Sequence, residues 1–445
     1  MKTNRIILIA LALTVQLGSE AQQTMTLKDC MQYAIDNSLK VKELSEENRK
    51  SQVIRRDAIL NAFTPNVNLS INVEYGDGRM TDPSTNMYIN AAMIGDNYTL
   101  NGNIVLFNGF EAVNNMKIAK VAVEMGRTNK QWETDKICLS TMEAYYNAVY
   151  YSRLYNILNE QVAIAKRSFE KAKREYELGK SDRSKMLEGE GFLAEMEYRR
   201  ADCEAQRNNA LLTLKDLMFY PIEGDLQVDT AFVAAYADTN NNAAEIASYA
   251  RENSDEVEML NGQRDKAQLM LNTSRWQLLP KVELNAGFQT AHSVFVDYPD
   301  ALPSYFDQIS DKIQKYVQVS INIPIFGRLG KYSKISRSKS DFQIADYQLK
   351  AKQKTIENEV YRAVDEAQSA ERSMCQAKKS AELQGELFEI NRKKYDHGTI
   401  SYIEYSTAYN KYLESEAQYM SKLFTLNIKN SVLMYYQGIS YINQL

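Results

Sequence analysis

Five short segments of this chain occur twice, in the same order. Ala34 to Ser38 reads AIDNS with Val41 after it, and Ala250 to Ser254 reads ARENS with Val257 after it. Thr64-Pro65-Asn66-Val67 is answered by Leu279-Pro280-Lys281-Val282, and Phe107-Asn108-Gly109 by Phe326-Gly327. Tyr176-Glu177-Leu178-Gly179 returns as Tyr395-Asp396-His397-Gly398, and Leu217-Met218-Phe219-Tyr220 as Leu433-Met434-Tyr435-Tyr436. All five offsets lie between 215 and 219. A period that long is no solenoid repeat, so each copy is a large structural half.

The halves share one plan. In residues 22–220, a helix over 27–63 ends just before Pro65, strands follow at 66–75 and 98–107, and a long helix spans 111–176. A glycine turn then leads into a return helix over 182–219. In residues 243–437 the same order gives a helix over 243–279, strands at 281–290 and 316–326, a long helix over 329–394 and a return helix over 401–437. Residues 221–242, with an Asn-Asn-Asn run, form a linker, and 438–445 a C-terminal tail.

Strand assignment rests on a period of two. Val67, Leu69, Ile71, Val73 and Tyr75 alternate with Asn66, Asn68, Ser70, Asn72 and Glu74; Leu100, Gly102, Ile104 and Leu106 alternate with Thr99, Asn101 and Asn103. Val282, Leu284, Ala286 and Phe288 oppose Lys281, Glu283, Asn285 and Gln289. Val317, Val319, Ile321, Ile323 and Ile325 oppose Gln318, Ser320 and Asn322. A half-buried soluble sheet gives the same alternation. Three features favour strands in a membrane. Their length of ~10 residues is what a tilted spanning strand needs. Aromatics gather at their ends (Tyr75, Tyr98, Phe107, Phe110, Phe288, Tyr316, Phe326), as in interfacial girdles. Segments 76–97 and 290–315 read as long polar loops. On this reading Val67, Leu69, Ile71, Val73, Val317, Val319, Ile321 and Ile323 face lipid, and Pro65 and Pro280 open the strand pairs.

The long helices carry heptads. Tyr151, Tyr155, Leu158, Val162, Ala165, Phe169, Ala172 and Tyr176 alternate four and three apart. The second copy repeats the seam, more polar, as Ala370, Met374, Ala377, Ala381, Gln384, Phe388, Asn391 and Tyr395. A helix of about 66 residues is ~100 Å long and one of about 37 is ~55 Å. Two half-length helices therefore match one long one, which suits a rod rather than a compact domain.

Lys2 and Arg5, the apolar run from Ile6 to Leu17, and the small residues Ser19 and Ala21 form a signal peptide over 1–21. About 12 apolar residues are too few to span a bilayer, which takes ~20. The first cysteine is Cys30, so no lipidation is expected; the four cysteines are scattered and give no disulfide framework. A net charge of -4 gives no reason to expect nucleic acid as a partner. Only His292 and His397 occur, and HExxH, GxxxxGKS and GxSxG are absent, so neither an enzyme, a metal site nor a cofactor is expected.

Four strands cannot close a barrel, and an open edge in lipid leaves backbone groups unpaired at several kcal/mol each. Two chains would pool eight strands around a filled interior; three would pool twelve around a lumen. The signal peptide, the duplicated helix–strand–strand–helix plan, Pro65 and Pro280, and the turns at 176–179 and 395–398 together resemble the TolC family of outer-membrane efflux proteins. The resemblance covers essentially the whole mature chain. It implies a mainly α protein with membrane β: a homotrimeric twelve-stranded barrel, four strands per chain, continuous with a periplasmic α-helical coiled-coil barrel. The linker and tail would form its equatorial belt. It implies the outer membrane of a Gram-negative bacterium and a passive efflux or secretion conduit. Its partners would be outer-membrane lipid, a periplasmic adaptor and an inner-membrane transporter.

The resemblance also implies a periplasmic entrance at the hairpin tips, with Gly179 and Gly398 as the turns and adaptor contacts. Asp182, Lys185, Tyr395, Ser401 and Glu404 are the entrance candidates. Glu404 falls on the family's inner acidic position and Tyr395 on its tyrosine. The second acidic position is Thr407, the arginine position Ile400 and the aspartate position Lys185, so the family's bonding network is largely absent. Glu404 also reads as an ordinary solvated helix residue. The competing reading of the whole chain is a soluble periplasmic coiled-coil adaptor or structural rod.

Overall fold

A computed structural model of the chain describes residues 24–82, 85–230, 242–327 and 329–444. The signal peptide over 1–21 and residues 231–241, half of the 221–242 linker, lie outside the described residues. In chain order the elements are α1 (Leu27–Asn37), α2 (Leu39–Phe63), β1 (Asn66–Thr81), β2 (Tyr88–Asn108), α3 (Glu111–Glu177) and α4 (Arg183–Met218). The second half follows with α5 (Ala243–Asn253), α6 (Asp255–Trp276), β3 (Lys281–Phe295), α7 (Tyr305–Asp311), β4 (Gln314–Asn322), α8 (Gly330–Asp396) and α9 (Tyr402–Tyr436).

Where single helices over 27–63 and 243–279 were expected, each is broken once, at Ser38 and Ser254. Both serines leave helical geometry (ψ 119° and 143°), closing the first helix through N–H bonds to the Ala34 and Ala250 carbonyls. The Ser38 hydroxyl then accepts from the Val41 N–H, restarting the next helix. The repeated Asn-Ser pair is therefore the break itself.

The chain divides into two compact units. One holds residues 45–128 and 258–351, including the sheet. Its strands run antiparallel in the order β1-β2-β3-β4. The segment 76–97, expected as a loop, is mostly strand: β1 and β2 stay paired out to Thr81 and Tyr88. Glycine and aspartate at 76–78 and 95–96 look like turn residues in sequence, but cross-strand pairing satisfies their backbone. The segment 290–315 likewise is not a plain loop, since β3 continues to Phe295 and α7 follows. At the other edge β4 stops at Asn322, short of the expected 326. Pro324 has no N–H to give a ladder, so Ile323 and Ile325 lie beyond the strand. Ile323 is thus not a strand residue. Where α3 passes α6, the buried Asn114 amide donates to the Leu269 carbonyl and the Thr273 hydroxyl, both at 3.0 Å.

The other unit holds 24–44, 129–257 and 352–444 among the described residues. Its core joins Met31 of α1, Met142 and Tyr145 of α3, Leu214 and Met218 of α4, and Met420 and Phe424 of α9. Tyr146 stacks on Phe424 with centroids 5.1 Å apart. Residues 221–230 dock here: Met25 and Val228 form a parallel bridge, and the Tyr145 hydroxyl donates to the Asp229 carbonyl at 3.1 Å. The tail docks through Asp135, which is buried and accepts from the Tyr441 N–H and the Ser440 hydroxyl. Cys30, Cys138 and Cys203 are buried free thiols, and Cys375 is exposed. No described helix is long and apolar enough to cross a membrane.

Candidate functional site: a two-faced sheet and a capped helical tip

Residues opposite one another in an antiparallel ladder share a face. Following the register across all strands therefore sorts the sheet into rows. Val67, Gly102, Ala286 and Val317 form one row, with Leu69, Leu100, Phe288 and Lys315 above it and Ile104, Leu284 and Val319 below. The intervening row on the opposite face is Asn66, Asn103, Asn285 and Gln318, followed by Asn68, Asn101, Gly287 and Tyr316. One face is mainly apolar, with Lys315, Asp96 and His292 among its polar members, and the other is mainly amide and hydroxyl, with Glu74, Lys281 and Glu283 among its charged ones. The apolar face is uncovered within the chain: Val67, Leu69, Ile71 and Val73 are 57–69% exposed, as are Val317, Val319 and Ile321 at 58–76%.

The polar face is organised by hydrogen bonds. The Asn103 amide donates to the Asn285 carbonyl oxygen at 2.7 Å, and Gln289 bonds Gln314. The Tyr316 hydroxyl crosses β3 to donate to Asn101 at 3.1 Å. It passes over Gly287, where an added Cβ would lie 2.9 Å from that hydroxyl oxygen and 2.2 Å from the Leu100 carbonyl oxygen. No side chain larger than hydrogen fits there.

The second candidate lies in the helical unit at the turns. Gly179 and Gly398 are exposed and adopt φ of +67° and +72°. Each closes its long helix with the same pair of bonds, Gly179 N–H to Tyr176 and Lys180 N–H to Glu175, Gly398 N–H to Tyr395 and Thr399 N–H to Lys394. An added Cβ meets nothing within 4 Å at either glycine, so only the backbone angle demands glycine. Gly398→Ala is therefore expected to cost about 1–2 kcal/mol, all of it left-handed strain, measurable by chemical unfolding.

The entrance candidates pair locally. Asp182 caps α4, accepting from the Lys185 N–H at 3.0 Å. Ser401 and Glu404 cap α9 reciprocally: the Ser401 N–H and hydroxyl donate to the Glu404 carboxylate at 2.8 and 3.0 Å, and the Glu404 N–H returns to the hydroxyl. The spacing Ser-x-x-Glu carried this signal in sequence. Among the described residues no hydrogen bond or ion pair joins the Asp182–Lys185 pair to the Ser401–Glu404 pair. Thr407 turns its hydroxyl back to the Ile403 carbonyl, and Ile400 packs into an apolar cluster.

That cluster is what sequence reasoning missed. Tyr395 stacks on Tyr405 with centroids 4.7 Å apart, and Phe388 on Tyr412 at 5.3 Å. Phe192 of α4 packs against α9, 5.0 Å from Tyr402 and 6.2 Å from Tyr405. Burial, with the carboxylates of Glu188 and Asp396 nearby, pushes the Tyr395 hydroxyl up. Phe388 had a heptad signal, but Phe192 had only its spacing to Met196 on one helix face.

The bonds from Ser401 hold the Glu404 carboxyl below its ordinary value of 4.5. A depressed carboxyl stabilises the fold above its unfolded value, and that contribution is lost as pH falls through the lower folded value. The start of α9 is thus expected to fray as pH falls below 4.5. A carbon-13 titration of the Glu404 carboxyl, followed alongside the Cα shifts of 402–405, checks both the midpoint and the fraying.

No curated protein matches the chain in sequence. Residues 246–424 match the family model described as outer membrane efflux protein. Solved structures share the fold at low identity. CmeC, an outer membrane channel of Campylobacter jejuni, is 14% identical with a TM-score of 0.74, over 94% of this chain and 85% of that one. The outer membrane protein VceC of Vibrio cholerae is 12% identical with a TM-score of 0.72, over 93% and 96%. CusC is 14% identical with a TM-score of 0.72, over 92% and 91%. Residues 246–424 thus resemble the outer membrane efflux protein family, and the chain as a whole shares the fold of these solved outer-membrane channels.

Proposed function

We propose that three copies of this chain pool their sheets into a twelve-stranded barrel in an outer membrane and form a passive efflux conduit. The observation that carries the reading is the sorting of one sheet into an apolar face and an amide face, with β1 and β4 both left as edges. A soluble sheet buries its apolar face against other elements, whereas this one leaves Val67, Leu69, Ile71, Val317, Val319 and Ile321 uncovered. Lipid is the solvent that suits such a face. In lipid the two open edges must pair, and a second copy supplies the partner edge.

The helical unit would then form the periplasmic part, with the turns at Gly179 and Gly398 meeting a periplasmic adaptor and, through it, an inner-membrane transporter that supplies the energy. Tyr395, Ser401 and Glu404 with Asp182 and Lys185 would ring the entrance. Because their bonds are helix caps, the tip would be held shut by aromatic packing rather than by an ionic network.

Purified from outer-membrane fractions and reconstituted into a planar bilayer, the protein is expected to run as a trimer and to give discrete conductance steps. Recovery as a soluble periplasmic monomer without conductance would instead assign it to the adaptor or rod class.

A further inference from the structure

β4 begins at Gln314, opposite Gln289, but β3 continues to Phe295. From Thr290 onward one edge of β3 therefore has no strand beside it, and α7 occupies the place. The buried Gln308 side chain replaces the missing peptide group: its carbonyl oxygen accepts from the Ser293 N–H at 3.1 Å and its amide donates to the Ser293 carbonyl at 2.9 Å. The same amide donates to the Pro303 carbonyl, and the Thr290 hydroxyl donates to the Ile309 carbonyl at 2.8 Å.

α7 also reaches a polar pair on the face that carries Val73. Asp96 and His292 stand opposite one another in the row that begins at Val73, in contact at 3.1 Å. Tyr305 lays its ring 4.7 Å from the His292 imidazole and donates its hydroxyl to Tyr98 at 2.9 Å. The polar groups of this corner are thus satisfied inward. Large apolar groups stand outward here, with Phe306 79% exposed, Tyr298 67% and Ile313 49%, next to the exposed Asp307, Asp311 and Lys312. By helical spacing Asp307 and Asp311 fall on a different flank from Phe306, so α7 offers an apolar flank beside an acidic one.

We propose that α7 is an interfacial helix lying in the lipid headgroup layer, with Phe306 entering the acyl boundary and Gln308 sealing the strand edge behind it. The partner is a lipid surface. Two things favour lipid over a second protein: Tyr305 seats α7 on Tyr98 and His292, which share the face of Val73, and aromatic side chains settle at the headgroup level. This inference rests on the barrel reading.

The test places a nitroxide at Phe306→Cys and, separately, at Val317→Cys, both in a Cys375→Ser background because the other three cysteines are buried. The trimer is reconstituted in phospholipid vesicles and accessibility to oxygen is compared with accessibility to a water-soluble nickel chelate. A label on native Cys375 supplies the aqueous reference. Position 317 is expected to be the deepest, and position 306 to favour oxygen at a shallower depth. If position 306 behaves like Cys375 while 317 stays lipid-like, α7 lies in water and the inference fails alone. If position 306 is shielded from both reagents, protein covers it and the inference fails again. An aqueous signal at position 317 overturns the barrel reading, and this inference with it.

Discussion

Val317→Arg is expected to leave the helical unit folded but to abolish the proposed membrane trimer. Val317 sits near the middle of the apolar face, in the row with Val67, Gly102 and Ala286, and is 76% exposed. Arginine on the lipid side of a barrel costs about 2–4 kcal/mol near the bilayer midplane, so a trimer carrying three incurs roughly 6–12 kcal/mol. That is comparable with the whole stability of an ordinary domain. The matched control is the next residue: Gln318→Arg projects into the amide face beside Asn285 and should leave the trimer intact. Heat-modified mobility of outer-membrane fractions reads both variants. Equal tolerance of the two arginines would mean that neither face meets lipid.

The second large effect is expected at the helical tip. Phe192 is 3% exposed and is ringed by Tyr402, Tyr405 and Tyr409 at 5.0–6.5 Å. Phe192→Ala removes a buried ring and leaves a cavity, which costs about 3–5 kcal/mol. Because Phe192 links α4 to α9, the loss should concentrate around the turns and appear as faster amide exchange over residues 385–410. The contrasting variant is Tyr409→Phe. Its hydroxyl is buried without a hydrogen-bond partner, so deleting it should be neutral or stabilise by up to about 1 kcal/mol. Unchanged exchange in Phe192→Ala would remove the cluster from any account of how the tip is held.

The fold class was legible because long-period duplication and two short-range periods agree. The heptads of α3 and α8 and the strand phases at 66–75 and 281–290 are strong enough that no tertiary term reverses them. What stayed hidden depends on partners distant in sequence. Gly76, Asp77 and Gly78 read as a loop because nothing local shows that Met93, Ala92 and Ala91 lie opposite. Gln308 carries no periodic signal, since its role depends on β4 ending early. Ser38 and Ser254 stand in the repeated segments, yet nothing in the flanking pattern marks them as the points where each helix breaks. At the tip the difficulty ran the other way: Glu404 fitted a family position, while its own neighbours three residues back define a local cap.

The amide rows bear on how traffic through such a pore is sorted. Asn66, Asn103, Asn285 and Gln318 each both give and accept hydrogen bonds and carry no charge. Pooled around three subunits as proposed, they would line the lumen with groups that hold a hydration layer in place, while Glu74, Lys281 and Glu283 on the same face would supply its charges. A lumen of that kind would leave most of the choice of cargo to what lies upstream of the barrel.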